Sequence, residues 1–192
     1  MNQKRRNFLK TAGVATAAMT MNAASYAQLN GANGALRVGF LGVGGRCQQH
    51  IDVILALQRA NANNVRPVAC CDVWDGDAKL GRGLGRGLNP SARRCGLNLE
   101  DRNHVTKDYR RVLDQRDVDI ACIAAPDHWH AKMTIDAANA GKHIYCEKPM
   151  TRTIEEANHV VDAARRNNTV MSVGVQWTAD PILPQVSNMI KA

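Results

Sequence analysis

Between Leu36 and Val175 the chain alternates short, almost unbroken aliphatic runs with longer stretches of helical spacing. No other feature constrains the fold as much. A strand that is apolar on both faces must be covered on both faces, and helices crossing over a parallel sheet are what cover it. The runs are Leu36–Val43, Pro67–Val73, a brief His104–Thr106, Asp119–Ala125, Ile144–Cys146 and Thr169–Val175. Between them, Gly45–Ala60 carries Cys47, Ile51, Ile54 and Leu55 at helical spacing, and Tyr109–Leu113 reads as a short helix. His128–Ala140 puts Trp129, Met133 and Ala137 on one face, with Gly141 as its stop. Thr153-Ile-Glu-Glu156 has the form of a capping box, and Asp180–Ala192 starts a further helix. The expected fold is α/β: a doubly wound parallel sheet of six strands.

Residues 76–103 interrupt the rhythm. Gly81-Arg82-Gly83-Leu84-Gly85-Arg86-Gly87 places four glycines in seven residues, a poor helix, with Arg93 and Arg94 following. It reads either as a mobile surface loop or as an arginine loop beside the adenosine end of a nucleotide.

The formal charge is +8, of which Lys4, Arg5, Arg6 and Lys10 supply four, with no acid among residues 1–27. The remaining +4 is too mild to argue for nucleic acid, and no aromatic-studded basic surface accompanies it. Lys4-Arg-Arg-Asn-Phe-Leu-Lys10 resembles a twin-arginine export signal, followed by a weakly apolar stretch and the small-x-small pattern Ser25-Tyr26-Ala27. That stretch falls short of the about 20 apolar residues a bilayer span needs. Residues 1–27 are therefore expected to be a signal peptide and 28–35 a linker. The mature protein is expected in the periplasm or secreted, exported already folded and without stable membrane insertion. The six cysteines, Cys47, Cys70, Cys71, Cys95, Cys122 and Cys146, include no CxxC pair. They read as small buried hydrophobes, with no metal site expected.

Two runs carry the chemistry. Gly42-x-Gly44-x-x-Cys47 nearly matches G-x-G-x-x-G and lies between a strand and a helix. Gly42 makes the tight turn, Gly44 admits a pyrophosphate, and the helix from Gly45 and Arg46 aims its positive end at the phosphates. Cys47 replaces the third glycine and is small enough for close packing. Asp72 ends the second strand, where a carboxylate accepts both ribose hydroxyls of NAD and repels the 2′-phosphate of NADP. An aspartate there also serves to cap the next turn. Trp74 reads either as an adenine contact or as core.

Ala125-Pro126-Asp127-His128-Trp129-His130 follows the fourth strand, with Pro126 and His130 as cofactor contacts. A metal shared by His128 and His130 is disfavoured, since an i,i+2 pair does not converge on a helix. Histidines 50, 104, 143 and 159 read as surface or packing residues. Glu147-Lys148-Pro149 ends the fifth strand. Lys148 is extended before proline and points opposite to Glu147. Beside a nicotinamide, Lys148 would hydrogen-bond a substrate hydroxyl and stabilise the oxyanion. The bland reading of the Glu147–Lys148 pair is an exposed ion pair.

The set Gly42–Arg46, Asp72, Ala125–His130 and Glu147–Pro149 resembles the Gfo/Idh/MocA oxidoreductases, in their exported twin-arginine branch. The resemblance implies a Rossmann domain over residues 36–177 that binds NAD, with NADP less favoured. It implies Lys148 as catalytic lysine, with Glu147 and His130 lining the nicotinamide ribose. It implies a sugar or polyol substrate oxidised by hydride transfer. It also implies a second α/β domain that binds substrate and mediates homo-oligomerisation. Residues 178–192 read as the truncated start of that domain. The alternatives are an NAD-dependent glycosidase, whose relatives lack the lysine of Glu-Lys-Pro, and a non-catalytic nucleotide-binding module.

Overall fold

The computed structural model describes residues 34–60, 64–81, 83–175 and 182–191. The signal peptide, most of the linker, Arg82 and the 176–181 entry to the expected second domain lie outside the described residues. The chain divides into two units, Met1–Ala35 and Leu36–Ala192, and the elements that follow belong to the second.

The elements run β1 Leu36–Leu41, α1 Gly45–Arg59, β2 Val65–Cys71, α2 Leu88–Arg94, β3 Val105–Thr106, α3 Tyr109–Leu113 and β4 Ile120–Ile123. A 3-10 turn, Asp127–Trp129, leads into α4 His130–Asn139, then β5 His143–Glu147, α5 Ile154–Arg166, β6 Met171–Gly174 and α6 Ile182–Lys191. The sheet is six-stranded in the order β3-β2-β1-β4-β5-β6, and every pairing is parallel. The expected α/β doubly wound sheet of six strands is therefore observed.

Alternation sorts the strand residues onto two faces. Leu41, Cys71, Ala121, Ile123, Ile144 and Cys146 pack with Val112 of α3, Ala137 of α4 and Ala163 of α5. Val38, Phe40, Cys70 and Cys122 pack with Ile51 of α1 and Ala92 of α2. The register between β1 and β2 slips after Val38, where Val38 faces Pro67 and Gly39 faces Ala69. Proline has no N–H to donate, so a bulge at Val68 takes up the irregularity. On its other side β2 pairs only at Cys70 and Cys71 with the short β3.

The main departure from expectation is α2, inside the segment read as loop. Pro90 sits in its first turn, where the missing N–H costs nothing. Gly96, at φ +70°, ends it. The Leu97 N–H returns to the Ala92 carbonyl at 2.9 Å and the Gly96 N–H to that of Arg93 at 3.0 Å, a Schellman ending. The capping box is also present with a shift. Thr153 accepts from the Glu156 N–H at 3.1 Å, while the Glu156 carboxylate accepts from the N–H of Arg152 at 2.7 Å.

At the amino ends of the strands His104 lies between two carboxylates, Nδ1 2.8 Å from Asp101 and Nε2 2.9 Å from Asp117. Partial burial pulls His104 down, but hydrogen bonds to Asp117 and Asp101 hold it above the ordinary histidine value. Desolvation opposes the effect on the aspartates, yet both are held below the ordinary carboxylate value, with His104 as one cause in each. A raised histidine stabilises fully below its ordinary value, and this is lost as pH rises through the raised one. A depressed aspartate stabilises above its ordinary value, and this is lost on acidification. The cluster thus stabilises most in the weakly acidic window between the two. The thermal midpoint is expected to fall as pH rises past the ordinary histidine value of about 6.5, and His104→Asn is expected to flatten that fall. A variant with the wild-type slope in differential scanning fluorimetry would remove this cluster as its source.

Candidate functional site

The strand order reverses between β1 and β4, and such sheets place their ligand crevice at that point, outside the carboxyl ends of the strands. Gly42 leaves β1 at φ +83° with its N–H on the Cys71 carbonyl at 2.8 Å. A Cβ at Gly42 would lie 2.5 Å from the Cα of Ala125 and 2.6 Å from its N. Only glycine fits this backbone-to-backbone approach. Gly44 is the reverse case: a Cβ there would meet nothing within 4 Å. Its conformation, φ −75° and ψ −160°, suits any residue. The space beside Gly44 is open to a ligand, and the helix behind it is built for an anion. The first turn of α1 has no acidic residue, and its N-cap makes no side-chain hydrogen bond.

The Val43 carbonyl, in the middle of the loop, is turned inward. It accepts from the Gly87 N–H at 3.0 Å and from Gln48 Nε2 at 2.9 Å. Gln48 also reaches Ser91 Oγ at 2.9 Å, and Arg94 Nη1 donates to Gln48 Oε1 at 2.5 Å. The segment that reads as loop from sequence is therefore a brace for the glycine turn. Cys47, at the third-glycine position, is fully buried beneath it.

Asp72 is half-buried at the end of β2, where its Oδ1 accepts from the Trp74 N–H at 3.0 Å. The turn-capping role is thus present. The second oxygen leaves further acceptor capacity. Trp74 is exposed rather than core.

Across the crevice, Pro126 precedes the 3-10 turn, and its carbonyl accepts from the Trp129 N–H at 2.9 Å. His130 is 2% exposed, with Nε2 2.8 Å from the Ala125 carbonyl and Nδ1 2.6 Å from that of Pro149. It ties the exit of β4 to the exit of β5. Trp129, read as sharing the buried face of α4, is 40% exposed because the 3-10 turn swings it outward. His128 is exposed. Among the described residues no group of three or more His, Cys, Asp or Glu is placed to hold a metal ion.

Glu147 is 4% exposed, and its Oε1 lies 2.8 Å from both Arg46 Nε and His50 Nε2. Burial lowers His50 below its ordinary value, against the upward pull of Glu147. Arg46 also bonds Gln49. From sequence Glu147 and Arg46 read as site residues, whereas His50 reads as a surface or packing residue. The i,i+4 spacing from Arg46 puts both on one face of α1, but Glu147, the partner they share, lies 97 residues from His50 and leaves no local mark. Lys148 is exposed at the end of β5, and its backbone N–H donates to Glu147 Oε2 at 3.3 Å.

Residues 36–175 match the family described as "Oxidoreductase family, NAD-binding Rossmann fold", and residues 2–21 match the twin-arginine translocation signal sequence. A glycosyl hydrolase family 109 protein of Shewanella baltica is 32% identical over 99% of this chain and 43% of its own length. A levoglucosan dehydrogenase of Pseudarthrobacter phenanthrenivorans is 38% identical over 53% of this chain and 25% of its own. A solved levoglucosan dehydrogenase in complex with NADH is 32% identical, with a TM-score of 0.55 over 72% of this chain and 34% of that one. The chain thus spans less than half the length of these relatives. Among the described residues no helix is long and apolar enough to cross a membrane.

The two glycines are expected to respond oppositely. Gly42→Ala forces a left-handed conformation and a backbone overlap, and is expected to cost about 3 kcal/mol, lowering the thermal midpoint by roughly 6–12 °C. Gly44→Ala is expected to leave the midpoint unchanged. Equal midpoints for the two variants would refute the Gly42–Ala125 contact.

Proposed function

The chain belongs to the Gfo/Idh/MocA oxidoreductase family, whose NAD-binding Rossmann domain it carries over residues 36–175, and on that premise we propose the following activity. It oxidises a CH–OH group of a sugar, polyol or related compound, with NAD held across the β1/β4 crevice. One juxtaposition carries the reading. The open space at Gly44 and the exposed Lys148 end β1 and β5, on the two sides of β4 at the switch point. The residues fit the cofactor: an approachable glycine turn, an uncapped helix end free of acids, and a carboxylate at the end of the neighbouring strand.

Gly42, Gly44, Gly45 and Arg46 would hold the diphosphate side, and Asp72 the adenosine ribose. The carboxylate at Asp72 would favour NAD over NADP by charge repulsion. When bound, the nicotinamide supplies the hydride acceptor. Lys148 would donate a hydrogen bond to the substrate oxygen and stabilise the negative charge that develops there. Glu147, with its carboxylate pinned by Arg46 and His50, would fix the strand end that presents Lys148. Pro126 and His130 would shape the opposite wall, His130 by tying the two strand exits together.

The twin-arginine signal directs export across the cytoplasmic membrane. We place the mature protein in the periplasm or outside the cell, and read residues 178–192 as the entry to a substrate-binding domain through which copies associate. The greater length of the relatives supports that reading. A second activity has its own support: the glycosyl hydrolase family 109 relative aligns over 99% of this chain. In that reading NAD is used transiently and the sugar loses its leaving group.

Net NADH formation with a sugar and polyol panel, set against release of a chromogenic aglycone, separates the two in the full-length protein. Lys148→Met is expected to slow oxidation by roughly 10²-fold or more, the scale of one positioned catalytic group, with NAD affinity nearly unchanged. Wild-type turnover by that variant would make Lys148 a surface residue. Aglycone release without net NADH would select the glycosidase.

A further inference from the structure

The glycine turn and α1 receive a second contact. Arg86, at the end of the glycine-rich hairpin, lies across Gly45, the first residue of α1. A Cβ on Gly45 would be 3.3 Å from both Cζ and Nη1 of Arg86. A Cβ on Gly81 would be 3.3 Å from Nε of the same side chain. The guanidinium therefore threads between two residues that have no side chain to block it. Its backbone is fixed as well. Asp77 and Arg86 exchange both backbone hydrogen bonds, at 2.9 and 3.0 Å, and the next N–H, that of Gly87, is on the Val43 carbonyl of the glycine turn. The hairpin is thus moored to the loop it overhangs.

For stability alone this position has the wrong sign. The amino end of α1 carries partial positive charge, favours anions and disfavours cations. Its first turn already holds Arg46 and no acid. The other nearby arginines are engaged: Arg46 with Glu147 and Gln49, and Arg94 with Gln48 and Asp52. Among the described residues Arg86 makes no ion pair. An exposed guanidinium held against a positive helix end is explained by an anion that both of them bind.

We propose that Arg86 is a ligand for the diphosphate of the dinucleotide, reaching it from beside Gly45 at the start of α1. A guanidinium offers two parallel N–H donors to phosphate oxygens and loses no charge at any working pH. This differs from the adenosine-end role that the arginine-rich composition suggests, because Arg86 sits over α1 and not at the end of β2, where Asp72 stands. The ligand class is a diphosphate diester, bound through charge and not through its base.

The inference rests on the NAD reading, so the test keeps the two apart. The full chain, Arg86→Gln and Arg86→Lys are titrated calorimetrically with NAD and ADP-ribose at several salt concentrations. Adenosine, which has no phosphate, is followed by saturation-transfer NMR. Arg86→Gln is expected to weaken NAD and ADP-ribose alike by roughly 10-fold or more, the scale of a charge-assisted hydrogen bond. It is also expected to flatten their salt dependence while leaving adenosine unchanged. Arg86→Lys should recover part of the loss. The ligand-free thermal midpoint of Arg86→Gln should be no lower than wild type. Unchanged NAD affinity and salt slope in Arg86→Gln overturn the inference and leave the cofactor reading standing. A matching loss of adenosine binding overturns it in favour of a structural role. Failure of the wild-type chain to bind NAD or ADP-ribose overturns the cofactor reading, and the inference with it.

Discussion

At the carboxyl edge of the sheet two stretches of backbone meet without room for a side chain between them. At the end of β1, Gly42 comes so near Ala125 at the end of β4 that a single methyl group would overlap the neighbouring main chain. Everything at the carboxyl edge of the sheet follows from that approach. It lets the chain turn sharply enough for Gly44 to face open space and for α1 to start at Gly45 with its amides uncapped. On the other side it brings the Ala125 carbonyl to His130, and through His130 to Pro149 and the end of β5. The glycine turn, the His-Trp-His segment and the Glu-Lys-Pro segment are thus one assembly, although 100 residues separate Glu147 from Cys47 in the chain.

The same edge concentrates charge that stability alone does not require. Glu147 is almost wholly buried, and a buried carboxylate is tolerable only when paired. Arg46 and His50, one turn apart on α1, supply that pairing and lock the helix to β5. Glu147 is thereby committed within the protein, while its neighbour Lys148 is left toward solvent. Adjacent residues on a strand face opposite ways, so one serves as an anchor and the other is presented.

How much of this was legible beforehand depends on the range of the interaction. Element types followed from local pattern: the aliphatic runs became strands, Thr153 capped its helix, and helix α1 began at Gly45 as the glycine spacing requires. The family motifs located the crevice for the same reason, since a turn and its flanking strand are contiguous in sequence. Helix α2 was missed because its glycine-rich approach masked a short Asn-Pro-Ser start and a Cys-Gly stop. The roles of Gln48, His50 and Ser91 were not legible. Each depends on a partner 43 to 97 residues away, and no local pattern marks that. His104, which reads as a surface or packing residue, is likewise defined by Asp117, 13 residues on and beyond β3 and α3.

The distribution of sulfur has a further consequence. Five of the six cysteines are buried and Cys95 is partly so, and all six are free thiols. Cys70 and Cys95 have their sulfur atoms 4.0 Å apart, and burial pushes the Cys71 thiol up to about 12. The chain also carries a twin-arginine translocation signal sequence over residues 2–21. In the folded domain the five buried thiols are interior filling, out of reach of dissolved thiols and oxidants. A domain exported in this state would meet an oxidising environment with those five thiols already closed off from it.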